Sequence, residues 1–117
     1  MNVELFRADE LAPGQVRLVQ LDKLAVVIVR KADGTFRALR NRCAHQGGPL
    51  SEGTLQPLVV GSDVGMYEFR TDKDVLVCPW HRFEYDVDTG RSPADPDRIR
   101  VRSYKVVVED GKLFIEP

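Results

Sequence analysis

The sequence predicts an all-β protein of antiparallel sheets, and three observations carry that prediction. Short β-branched runs recur along the chain, turn residues separate them at close intervals, and no apolar period of 3.6 is sustained beyond a first turn near Ala8–Leu11. At 117 residues the chain has room for one modest core, so residues 1–117 are read as a single domain.

The elements follow in order. Gln15–Gln20 and Leu24–Lys31 read as paired strands, and Ala32-Asp33-Gly34 as a tight turn into a strand over Thr35–Arg40, since Asp-Gly supplies the positive φ that hairpin turns need. That strand runs directly into Cys43-Ala44-His45. Gln46–Val77 is broken by Gly47, Gly48, Pro49, Gly53, Pro57, Gly61 and Gly65 and is expected to be mostly loop. Within it, Leu58–Val60 and Tyr67–Arg70 suit a small hairpin, and Val75–Val77 a short strand delivering Cys78. Phe83–Val87 is strand-like, Asp88-Thr89-Gly90 turns, and Pro93 and Pro96 mark a surface loop because neither can donate a ladder hydrogen bond. Strands over Ile99–Arg102, Tyr104–Glu109 and Lys112–Glu116 close the chain, the last two joined by Asp110-Gly111.

Charge and patterning exclude several classes. Seventeen Lys and Arg stand against 18 Asp and Glu, a formal charge of −1 with no global excess to hold a polyanion, so no nucleic-acid partner is expected. No apolar stretch approaches the roughly 20 residues needed to span a bilayer. Met1-Asn2-Val3-Glu4-Leu5 lacks the basic and apolar regions of a leader, so no membrane partner is expected and the location expected is cytoplasmic.

The chain has two cysteines and two histidines, and all four fall in Cys43-Ala44-His45 and Cys78-Pro79-Trp80-His81. One disulfide is conceivable, but small secreted scaffolds usually carry more cysteines, and a histidine stands beside each of these. A tetrahedral zinc site is open to two sulfurs and two nitrogens. Against a zinc finger, each loop contributes one ligand of each kind, and Pro79 opposes the helix that would present histidines.

These residues resemble a known family. Cys43-Ala44-His45-Gln46-Gly47-Gly48-Pro49-Leu50 and Cys78-Pro79-Trp80-His81 are similar to the two signature loops of Rieske [2Fe–2S] proteins, and the likeness runs from Asn41 to Gly90. It implies a Rieske-type fold with two cluster-binding loops at one tip. It also implies one [2Fe–2S] cluster, with one iron held by Cys43 and Cys78 and the other by His45 and His81. Two ferric ions and two sulfides make a doubly positive core that two thiolates bring to neutral. Taking an electron is then easier than with four thiolates, and potentials fall at roughly −150 to +300 mV.

Around the ligands, the resemblance implies a supporting shell of Gln46, Gly47, Gly48, Pro49, Pro79, Trp80, Arg82 and Tyr85. Gly47, Gly48 and the backbone near Trp80 and Arg82 can aim N–H groups at sulfur, and Pro49 and Pro79 are the rigid cover of the loops. Trp80 reads as packing beneath its loop. Tyr85 reads either as a core residue or as a hydrogen-bond donor to the cluster. High-potential members place a serine donor where this chain has Phe83, and they link their loops by a disulfide for which no cysteine remains here. The type implied is a low-potential ferredoxin. Arg82 stands where glycine is common, and a segment around residues 57–74 is longer than in small ferredoxins and reads as an insertion.

Two further features allow more than one reading. Arg37, Arg40, Arg42 and Arg82 suit a docking patch, since charge steers encounter, yet Glu84, Asp86 and Asp88 favour a mixed solvated face. Arg98, Arg100 and Arg102 alternate as the solvent side of a strand edge. The function implied is an electron carrier without a catalytic role, serving a flavin-dependent reductase and a terminal oxygenase or related oxidoreductase. The alternative is a small subunit or accessory domain of a larger oxidoreductase, like the small subunit of nitrite reductases.

Overall fold

In a computed structural model the chain is described over residues 3–22, 24–42, 49–63, 66–78, 84–93 and 96–116. Its strands are β1 (Val3–Arg7), β2 (Val16–Leu21), β3 (Leu24–Arg30), β4 (Phe36–Arg40), β5 (Thr54–Asp63), β6 (Met66–Val77), β7 (Glu84–Asp86), β8 (Ser103–Glu109) and β9 (Lys112–Glu116), with 3-10 turns at Ala8–Glu10 and Leu50–Glu52. They form a six-stranded sheet, β1-β9-β8-β4-β3-β2, and a three-stranded sheet, β5-β6-β7, with every strand pair antiparallel.

β3 organises the core. Val26, Val27, Ile28 and Val29 are all fully buried, as a continuous apolar run in a central strand should be. Because successive side chains point to opposite faces, Val27 and Val29 join Leu39, Leu50, Leu76, Cys78, Tyr85, Val87 and Val101 on one side. Val26 and Ile28 join Leu11, Phe36, Ala38, Leu113 and Ile115 on the other. Each fully buried valine, leucine or isoleucine among them contributes roughly 1.5–3 kcal/mol on leaving water.

The turns follow their residues. Asp110 and Gly111, at φ 50° and 75°, make the two-residue turn between β8 and β9. Between β3 and β4, Gly34 N–H donates to the Lys31 carbonyl (2.9 Å) and Lys31 N–H to the Thr35 carbonyl (2.8 Å), with Gly34 at φ 91°. Asp33 Oδ1 braces this loop by accepting from Thr35 N (3.0 Å) and Thr35 Oγ1 (2.6 Å), bonds that hold its carboxyl below the usual carboxylate range.

Three expectations are corrected, and one unassigned segment proves to be a strand. Val3–Arg7, unassigned from sequence, is a strand on the edge beside β9, in register Val3↔Ile115 and Arg7↔Lys112. Its weak alternation gives no strand signal, and its partner lies at the far end of the chain. Of the segment expected to be mostly loop, residues 54–63 and 66–77 make one long hairpin, β5 with β6, which takes in the expected pairing of Leu58–Val60 with Tyr67–Arg70 and the expected strand at Val75–Val77 and extends both. It tolerates Pro57 and Gly61 because register shifts fall between Pro57 and Leu58 and between Gly61 and Asp63, and because β5 is an edge strand that needs ladder donors on one side alone. Ile99–Arg102 makes a single bridge, Arg91↔Arg100, in place of a strand. Its neighbour there is the exit of a turn, too short to ladder against. The strand expected over Phe83–Val87 is confined to Glu84–Asp86, since Val87 already belongs to the turn; Phe83 lies outside the described residues.

Candidate metal centre

The first candidate ligand segment leaves β4 and returns at Pro49. Its two ends are clamped together: Asn41 Oδ1 accepts from Ser51 N–H at 2.6 Å. A 3-10 turn follows, with Gly53 N–H donating to the Leu50 carbonyl at 2.9 Å, and it drives Leu50 wholly into the core.

Gly53 then passes against β6. A Cβ there would lie 2.1 Å from the Val77 carbonyl oxygen, so no larger residue fits without moving backbone. Its φ of −81° is ordinary, which makes glycine a requirement of space and not of conformation. One residue later Thr54 pairs with Val77 to open the β5–β6 ladder, while on the other side of β6 Val77 pairs with Glu84 of β7. Both ends of the second segment and the exit of the first therefore meet at one residue, Val77, immediately before Cys78.

Cys78 is fully buried in the loop-side core that also holds Leu50, Leu76 and Tyr85. Tyr85 is likewise fully buried and pairs with Leu76 across the β6–β7 ladder. Pro49 is half-buried at the start of the 3-10 turn. Cys43, His45, Gln46, Gly47, Gly48, Pro79, Trp80, His81 and Arg82 lie outside the described residues.

A charged cluster ties this region to the large sheet. Asp88 Oδ1 receives Arg37 Nε at 2.8 Å, and Lys31 Nζ lies 3.1 and 3.2 Å from the two Asp88 oxygens. The Lys31 side chain is 9% exposed. Burial alone would raise the Asp88 carboxyl, but the hydrogen bonds and charges of Lys31 and Arg37 outweigh it and hold it below the usual range. Arg37 and Asp88 are thus a half-buried pair and not part of a mixed solvated face. The sequence reading gave no role to Lys31, Asn41 or Gly53. An asparagine and a glycine flanking a Gly-Pro loop are weak signals alone, and the lysine has none.

The donor chemistry fits an iron–sulfur centre. The chain's whole complement of cysteine and histidine lies in two segments, and the structure anchors both on Val77. The family model for the Rieske [2Fe-2S] domain matches residues 1–105. The chain belongs to the Rieske [2Fe–2S] family.

A Rieske domain implies a [2Fe–2S] cluster. This one is 31% identical over 114 residues to the ferredoxin component of the p-cumate 2,3-dioxygenase system of Pseudomonas putida, covering 97% of this chain and 84% of that protein. The ferredoxin of carbazole 1,9a-dioxygenase from Nocardioides aromaticivorans IC177 superposes with a TM-score of 0.74 at 28% identity, over 99% of this chain and 97% of that one. A chain from the complex of reduced oxygenase and oxidised ferredoxin in carbazole 1,9a-dioxygenase shares the fold at 24% identity and a TM-score of 0.74, over 97% of this chain and 100% of that one. Among the described residues no helix is long and apolar enough to cross a membrane.

Proposed function

We propose that this Rieske domain is a one-electron carrier of the low-potential ferredoxin type, taking electrons from a flavin-dependent reductase and passing them to a terminal oxygenase in the cytoplasm, without a catalytic step of its own. The reading rests on the ferredoxin components to which it is similar. The observation that carries it is that the exit of the first Cys/His segment and both ends of the second meet at Val77.

In this reading Cys43 and Cys78 hold one iron as thiolates, and His45 and His81 hold the other through neutral ring nitrogens. The cluster supplies reversible one-electron chemistry, and everything else falls to the chain. Buried Cys78 keeps its sulfur among Leu50, Leu76 and Tyr85, where little water competes for it. Gln46, Gly47, Gly48, Pro49, Pro79, Trp80 and Arg82 shape the two loops, and Tyr85 braces the second from below. Phe83 offers no hydroxyl, which keeps the potential low.

Absorption and EPR spectra of the purified protein test the reading. A visible charge-transfer envelope is expected and, after one-electron reduction, a signal whose average g lies below that of the free electron. A colourless protein holding one zinc per chain would overturn it.

A further inference from the structure

Two groups of arginines that lie far apart in sequence are brought side by side. Arg40 N–H donates to the Arg102 carbonyl at 2.8 Å, and Arg100 bridges to Arg91. Arg42 follows Arg40 by two residues and precedes Cys43, while Arg98 precedes Arg100 by two. Backbone neighbours in such ladders lie about 4.8 Å apart and residues advance about 3.3 Å along the chain. The six guanidinium groups therefore arise from one compact band that runs up to the stem of the first ligand segment.

All six residues are exposed, and their inward-pointing neighbours Leu39 and Val101 are buried in the loop-side core. Elsewhere five basic side chains have an acidic partner, Lys112 with Glu4, Arg7 with Asp9, Arg17 with Glu10, and Lys31 and Arg37 with Asp88, while Arg30 is engaged by the Gly34, Ala8 and Leu11 carbonyls. Among the described residues none of the six has an acidic partner, and Arg102 instead lies over the Tyr104 ring at 5.3 Å. Asp95 and Asp97 precede Arg98 in sequence, and two carboxylates against six guanidinium groups leave the band with a net positive charge. Six of the chain's 17 basic residues are gathered here in a protein of net charge −1, so the rest of the surface is correspondingly acidic.

We propose that this arginine band is a docking surface for an acidic face of an electron-transfer partner, placed beside the first ligand segment so that docking brings the partner to the cluster. The proposal rests on the electron-carrier reading for the nature of the partner. Arginine suits the task because its fixed fork pairs with carboxylates and its charge persists at all working pH values. A patch of one sign steers encounter even when the whole protein carries the opposite sign. An acidic protein is favoured over a nucleic acid because the surrounding negative surface would repel a long polyanion and admit a local acidic face.

The reduced holoprotein is mixed with ferricyanide or with hexaammineruthenium(III), each of which takes one electron from the reduced cluster, across a series of salt concentrations. The expected result is a ferricyanide rate that falls as salt rises and a hexaammineruthenium rate that rises. Replacing Arg98→Glu with Arg100→Glu is expected to slow ferricyanide severalfold, whereas Arg7→Glu with Lys112→Glu, an equal change of net charge at the far sheet edge, leaves it nearly unchanged. A ferricyanide rate that rises with salt, or equal effects of the two double variants, would overturn the proposal; Arg91→Glu serves should the first variant not fold.

If no cluster assembles, the carrier reading fails separately, and binding of a fluorescein-labelled glutamate-rich peptide then decides. Loss of peptide binding in the Arg98/Arg100 variant supports the band. No binding by the parent protein, or tighter binding of a DNA oligonucleotide of matched charge, overturns it.

Discussion

Val26 and Ile28, on one face of β3, belong to a core closed by residues of the same large sheet and its N-terminal turn: Phe36 and Ala38 of β4, Leu113 and Ile115 of β9, and Leu11. Val27 and Val29, on the other face, belong to a core that forms when the small sheet and both ligand-segment stems fold onto the large one, bringing Leu50, Leu76, Cys78 and Tyr85. The first core is a matter of hydrophobic burial within one sheet. The second is held by a few specific devices: the Asn41–Ser51 clamp, the close approach of Gly53 to Val77, and the Lys31–Asp88–Arg37 cluster. Stability and site integrity should therefore be separable by mutation.

The largest loss of stability is expected from Ile28→Ala, a truncation in the far core. It should cost about 2–5 kcal/mol, read as a lower urea midpoint, while the molecules still folded keep the parent visible spectrum. A changed spectrum in the folded fraction would break the separation between the two faces.

Asp88→Asn comes next, because it strands a nearly buried Lys31 charge. About 2–3 kcal/mol is expected, somewhat below a fully buried pair since Asp88 is part-exposed. The pH dependence sharpens this. A carboxyl lowered in the folded state adds stability that is present above its ordinary value of 3.8 and is lost as pH falls through the lowered one. The stability gap between parent and Asp88→Asn should hold at neutral pH and close below about pH 3.8.

Asn41→Ala removes the acceptor for Ser51 N–H and should cost about 1–2 kcal/mol, with faster cluster loss to a chelator as its more specific sign. The smallest effect on the far core and the most selective on the site is expected from Gly53→Ala. Iron per chain should fall while the amides of β9 keep their protection from hydrogen exchange, because the added methyl meets the Val77 backbone and nothing in the far core.

Much of this was legible in the sequence where the cause is local. Asp110-Gly111 fixes a turn by its own backbone preference, and β3 declares itself as a run of apolar β-branched residues. The turn at Asp88-Thr89-Gly90 is equally local, with Gly90 at φ 78° and its N–H donating to the Asp86 carbonyl at 2.7 Å. The candidate ligands were legible as residue types at their spacing. What stayed hidden depends on contact across the chain. β1 is a strand because β9 lies beside it, and β5 and β6 extend through Pro57 and Gly61 because a partner strand absorbs the bulges. Arg37 looked solvated beside acidic neighbours until the fold carried it to Asp88, 51 residues away.

The sequence by itself determined the candidate donors, two thiols and two imidazoles in two short segments, because metal chemistry depends on atom type and every thiol and imidazole of the chain is there. It determined the antiparallel β character as well, since alternation and turn residues act over a few positions. Tertiary structure alone decided that the stems of both segments meet at Val77 and that Gly53 must lack a side chain to let them. It also decided that Arg40 and Arg102 lie side by side to make one surface. These are distances between residues remote in the chain, and local preference carries no information about them until the sheets have packed.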